Sequence, residues 1–137
     1  MAASFAAANQ VLLLVHQPTL VPIDLSLAWM DFEREALGRA ETTKFASVSI
    51  RIASPGDLLI YKLVAARPQD QADARHLLAL DDGRIDRARV RDTALQLARL
   101  LEDEVRVHAI EELLPAVPSS PPKPAARRRR PKPQGGR

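Results

Sequence analysis

Ser54–Pro55–Gly56–Asp57–Leu58–Leu59–Ile60–Tyr61–Lys62–Leu63–Val64–Ala65–Ala66–Arg67, continued by Pro68–Gln69–Asp70–Gln71–Ala72–Asp73, is the stretch from which the fold is read. Ser54 can cap a helix, Pro55 suits its first position and Asp57 supplies the acid of a capping box. A helix is therefore expected over Leu58 to Arg67, with Pro68 as its stop. Inside it Lys62 is an isolated ammonium, sharing its face with Leu58, Leu59, Ala65 and Ala66. Such a group must reach water along its stem or meet an acid. A second helix is expected over Asp70 to Leu80, with Asp70 and Asp73 in line with Leu77 and so facing inward. The short Pro68–Gln69 link lets the two helices fold back and bring Lys62 to these carboxylates. Two roles suit that meeting: an ion pair that fixes the angle between the helices, or a site where Lys62 contacts a phosphate and an Asp orients it.

Further along the chain, Asp81–Asp82–Gly83 reads as a turn. A third helix follows over Asp86 to about Asp103, with Val90, Ala94, Leu97, Ala98 and Leu101 at helical spacing, and a short fourth covers His108 to Leu114. Towards the N-terminus the period shortens to that of strands. Val11 to Val15 is a buried-type apolar run, Leu20 to Leu27 alternates Val21, Ile23, Leu25 and Leu27 against Asp24 and Ser26, and Ser47 to Ala53 gathers Val48, Ile50 and Ile52 on one side. Pro22 moves the start of pairing in the second of these towards Ile23. Between them Asp31 to Ala40 forms a short helix ending near Gly38, with Asp31 and Glu33 as acids at its amide end. Strands first and helices after is an α+β order: a short, mainly antiparallel sheet followed by a helical bundle. Residues 1–10 read as a flexible N-terminus, 11–114 as one domain with strands in 11–53 and helices in 54–114, and 115–137 as a disordered Pro/Arg-rich basic tail. Three strands are few for four helices to cover, and the chain reads as the second half of something larger.

The 137 residues contain no Cys, which removes a disulfide framework and a thiolate zinc site, and the three His, at His16, His76 and His108, lack ligand spacing. Apolar runs are too short to span a bilayer and the first positive charge is Arg34, so a cytoplasmic protein without a membrane partner is expected. The formal net charge of +3 hides a division. Residues 115–137 carry seven positive charges, no acid and seven of the 11 prolines, whereas residues 1–114 carry 13 bases against 17 acids. The tail cannot bury enough apolar surface to offset its ordering entropy. Its Arg127–Arg130 run suits salt-sensitive, sequence-blind contact with nucleic-acid phosphates, or simply solubilises the chain, and no aromatic residue is interleaved for base stacking. On the second strand Asp24 projects opposite Ile23 and Leu25, where a carboxylate can hold a divalent metal or merely be solvated. Neither a Gly-rich phosphate loop nor a nucleophile elbow occurs.

Three segments in order carry a family resemblance: Ile23–Asp24–Leu25–Ser26–Leu27, then Phe32–Glu33–Arg34–Glu35–Ala36–Leu37, then Ile50–Arg51–Ile52–Ala53–Ser54–Pro55–Gly56–Asp57–Leu58–Leu59. They are followed by the Lys62…Arg67…Asp70…Asp73 helix pair, the most specific part. Together these resemble the AbiEii/AbiGii-toxin-like nucleotidyltransferases of bacterial type IV toxin–antitoxin and phage-defence systems, over roughly residues 11–80. The resemblance implies a polymerase-beta-like fold and transfer of a nucleotide from an NTP to an RNA or protein hydroxyl. In such enzymes magnesium is held by an Asp-x-Asp after a Gly-Ser turn and by a third carboxylate on a neighbouring strand. By position Asp24 matches the third carboxylate and metal ligand. Lys62, Asp70 and Asp73 match the later motif, with Lys62 and Arg67 towards the nucleotide. Gly-Ser and Asp-x-Asp are absent from the sequence, so the expectation is a chain that lacks the N-terminal catalytic half and is inactive alone. A non-catalytic module that binds an antitoxin-type protein or RNA is the alternative, and a gene remnant without selected function the blandest reading.

Overall fold

In the computed structural model, which describes residues 2–116, six helices and four strands follow in the order α1 (Ala2–Asn9), β1 (Val11–His16), β2 (Val21–Ser26), α2 (Asp31–Arg39), β3 (Glu41–Phe45), β4 (Val48–Ile52), α3 (Pro55–Ala65), α4 (Pro68–Ala79), α5 (Arg87–Leu100) and α6 (Glu104–Leu113). The α+β class is as the order of periodicities requires. The reading of the basic tail falls, past position 116, outside the described residues. Among the described residues no helix is long and apolar enough to cross a membrane.

The core is helical. Leu59, Ile60 and Leu63 of α3 meet Ala74 of α4, Val90, Ala94, Leu95, Leu97 and Ala98 of α5, and Val107 and Ile110 of α6, closed by Ile85 and Leu114. Three of the core helices, α3, α5 and α6, begin where the sequence offers an acceptor to the unpaired amides of the first turn. Ser54 Oγ accepts from Asp57 N at 3.2 Å, Asp86 Oδ1 from Arg89 N at 3.0 Å and Asp103 Oδ1 from Arg106 N at 2.8 Å. Helix α2 lies against this core through Met30 and Phe32. Its Glu33 carboxylate accepts from the backbone amides of Trp29 and Met30 at 2.9 and 3.0 Å, the helix-start role expected for it, and the Phe32 ring tilts onto Tyr61 at 5.1 Å between centroids.

The sheet departs from the single short one expected. Two separate antiparallel hairpins form, β1–β2 and β3–β4, and no residue of the four strands is buried. β3 is an element the periodicity did not single out, although Thr42, Thr43 and Phe45 are strand formers. Pro22 sits within β2, opposite Val15, rather than before it. In a two-stranded ribbon each strand keeps a free edge, so a missing amide proton is tolerated. The N-terminal segment expected to be flexible contains α1, because five of its eight residues are Ala, the strongest helix former. Pro68 begins α4 rather than separating two helices, since its fixed φ and absent N–H suit a first turn, and the joint shrinks to Ala66–Arg67. Helix α5 stops at Leu100 and α6 starts earlier than expected, at Glu104, with Asp103 as its cap. Among the described residues five other than Gly hold positive φ, Gln10, Leu20, Ala46, Ala66 and Glu102, all at corners between elements.

The division between core and hairpins gives a direct test by urea unfolding followed by far-ultraviolet circular dichroism. Ile60→Ala, at a position with no exposed surface, should cost about 2–5 kcal/mol. Ile50→Ala, on the exposed face of β4, should stay within about 0.5 kcal/mol of the parent.

Candidate functional site

The fold-back of α4 on α3 brings Lys62 to both carboxylates. Lys62 Nζ lies 3.0 Å from Asp70 Oδ1 and 2.8 Å from Asp73 Oδ2, and Arg67 at the joint closes on Asp70 Oδ2 through its Nε. Asp70 is 2% exposed and the Lys62 side chain 26%, so the ammonium meets its acids at the rim of the helix pair rather than in the core. Hydrogen bonds from Arg67 and Lys62 hold the Asp70 carboxyl down at about 2, against the ordinary 3.8. Hydrogen bonds to Asp73 and Asp70 in turn raise Lys62 above its ordinary value. At neutral pH Lys62 and Asp70 are both charged, which leaves Lys62 no lone pair for base or nucleophile work and Asp70 no proton to give. What the arrangement can do is fix the α3–α4 angle and hold an ammonium at a set position.

A second cluster escaped the sequence reading. Asp57, placed as a helix-start acid, has no exposed surface and joins three helices. Arg39 of α2 donates Nε to its Oδ2 at 3.1 Å and Nη2 to its Oδ1 at 3.0 Å, Arg89 of α5 donates Nη1 to Oδ1 at 3.0 Å, and Ser54 Oγ donates to Oδ2 at 2.6 Å. Burial pushes the Asp57 carboxyl up, and the bonds from Arg39, Ser54 and Arg89 outweigh it and hold the group below its ordinary range. Gly56 is the residue that admits Arg89: a Cβ there would stand 2.8 Å from Arg89 Nη2. The signal in sequence is Gly56 before the acid, but neither Arg39 nor Arg89 stands at a spacing from Asp57 that names it.

Asp24 lies apart. On β2 it is directly opposite Leu13, exposed, on the face that also carries Val11, Val15, Pro22 and Ser26. None of the described hydrogen bonds or ion pairs joins it to Lys62, Arg67, Asp70 or Asp73. Among the described residues no three His, Asp or Glu side chains converge as metal ligands. Magnesium demands near-octahedral oxygen coordination, and a two-ion site needs several carboxylates, so a single strand Asp does not fit the metal pair that the resemblance implies. Comparison with protein-family models, with curated proteins and with solved structures finds no match to the chain.

Because folding lowers the Asp70 pKa, its pairing stabilises the protein fully above about pH 4, and the contribution fades as pH falls through the folded value of about 2. Urea midpoints measured at a series of pH values should show wild type ahead of Asp70→Asn at pH 6 and the gap closing between about pH 4 and 2. A gap independent of pH would show that the pair contributes no linkage.

Proposed function

We propose that the chain is a nucleotidyltransferase-like module of the bacterial toxin–antitoxin and phage-defence kind, which works by docking an antitoxin-type protein and does not transfer nucleotides on its own. The observation that carries this reading is the state of the two hairpins. On β1–β2 one face gathers Leu12, Leu14, Val21, Ile23 and Leu25, and on β3–β4 one face gathers Phe45, Val48, Ile50 and Ile52. Leu14, Val21, Ile23 and Leu25 are 45–52% exposed, and Phe45 is 74% exposed. Exposed apolar faces of this kind mark an interaction surface. Its apolar character suits a protein partner rather than RNA, whose phosphates call for cations.

The enzymatic part of the reading rests on the resemblance. The Lys62, Arg67, Asp70 and Asp73 motif does assemble on one helix pair, which supports common ancestry. Magnesium and an NTP would need carboxylates from outside these residues, with Asp24 as this chain's one contribution. Lys62 and Arg67, both engaged with Asp70, would have to release it to meet a triphosphate.

Incubation of the 137-residue chain with labelled NTPs, magnesium or manganese and bulk RNA should label nothing. Labelling that disappears on Asp24→Ala would overturn the docking reading in favour of catalysis. In parallel, the chain should bind the apolar dye ANS, and the pair Ile23→Lys with Ile50→Lys should remove most of the fluorescence without moving the unfolding midpoint. Equal fluorescence from that variant would show that the hairpins are not the accessible apolar surface.

A further inference from the structure

Helices α4 and α6 both lie against α3 but leave a cleft between themselves, with a volume of about 260 Å³. Lys62 and Leu63 line it from α3, Gln71 and Arg75 from α4, and Arg106 and Glu112 from α6. Three cations therefore face one small space, and their pairing is incomplete. Arg106 gives Nη1 to Asp103 at 3.2 Å, yet its Nε is buried and meets no acceptor among the described residues. A guanidinium N–H left dry and unpaired is costly, and a turn of the Arg106 side chain that presents it to an acceptor in the cleft relieves that cost. Arg75 forms no ion pair among the described residues. Lys62 has three ammonium protons and uses two, on Asp70 and Asp73.

From this we infer that the α3/α4/α6 cleft is a binding site for a phosphate-class oxyanion, received by Arg106 and Arg75 with Gln71 and Lys62 as further donors. The guanidinium fork matches tetrahedral oxyanion geometry, and donors on two helices can close on one ligand from opposite sides. Glu112 is the one acid in the lining. Its Oε1 lies 3.4 Å from His108 Nε2 on the same helix, so it has a partner other than the cleft. The volume is that of a phosphate group with its hydration and is small for a whole nucleotide, so a nucleotide enters by a terminal phosphate alone. The inference stands on the cleft and the three cations that line it, with the unpartnered Arg106 Nε as support, and it does not need the nucleotidyltransferase reading: a free phosphate satisfies the same donors.

The test uses the full chain labelled with ¹⁵N, observed at the arginine Nε–H resonances, with potassium phosphate titrated against potassium chloride at matched ionic strength. The resonance of Arg106 should shift in a saturable way. Arg106→Gln should weaken binding at the cleft at least tenfold, read on the Ile110 and Leu113 amides. Arg75→Gln should weaken it severalfold and, being a substitution at an exposed side chain, should leave the fold intact if Arg106→Gln does not fold. Arg84→Gln, at an exposed arginine paired with Asp82, should change nothing. A matched series with AMP, ATP and adenosine separates the sources: binding of phosphate and AMP alike, without adenosine, marks a phosphate site, whereas ATP favoured tenfold or more marks a nucleotide. No shift at Arg106 up to 20 mM phosphate, or equal affinity in the Arg75→Gln protein, would overturn the assignment, and the second result would place any phosphate binding elsewhere on the chain.

Discussion

A carboxylate with no access to water stands at the centre of this fold. Asp57 belongs to the first turn of α3, and the two guanidinium groups that neutralise it come from α2 and from α5, so three helices are tied at one point. The tie works because local and long-range demands coincide. The first turn has amide protons to satisfy, which Ser54 answers, and its positive end favours an acid, which Asp57 supplies. Burying that acid would be prohibitive without cations, and one of them, Arg89, enters over Gly56, where no side chain blocks it. Phe32 against Tyr61 then seals the same seam with an aromatic contact. Placing α2 through this one charge cluster leaves the flanking hairpins without a role in the core.

The two charge clusters divide the work between core and joint. Asp57 holds α2 and α5 to the start of α3, and Asp70 holds α4 to its end. Both carboxyls are held below their ordinary range, but for different balances of cause. At Asp57 burial opposes the charge and three donors overcome it. At Asp70 the hydrogen bonds from Arg67 and Lys62 dominate over the opposing cost of burial.

What could be read from sequence follows the same line. The α3–α4 pair was legible because its signals are local: a cap, a proline, an apolar run and one misplaced lysine whose acids lie eight and eleven residues on. The α+β order was legible from periodicity alone. The Asp57 cluster was not, since its arginines lie 18 and 32 residues away on separate helices and nothing in their own surroundings marks them. β3 was missed because Glu41 and Lys44 interrupt its alternation, and its two-residue turn uses Ala46 and Ser47 in place of the usual Gly or Asn. The single sheet expected is two ribbons because each strand pairs with its sequence neighbour, β1 with β2 and β3 with β4, and α2, which intervenes in the chain, is held to the helices through Asp57 and Tyr61. Asp24 was correctly placed on its strand face, but face alone does not say what a side chain will meet.

The corners of the chain have a consequence for how its stability can change. Gln10, Leu20, Ala46, Ala66 and Glu102 all turn through the left-handed region, where a Cβ crowds the following carbonyl at roughly 1–2 kcal/mol each. Glycine would relieve that crowding at the expense of a freer unfolded chain. The molecule thus carries adjustable strain at its joints, outside its packed centre. Substitution at Gln10 or Glu102 can move the melting temperature without touching the cleft or the hairpin turns, whereas Ala66, which lines the cleft, and Leu20 and Ala46, which turn the hairpins, tie stability to the surfaces that could meet another molecule.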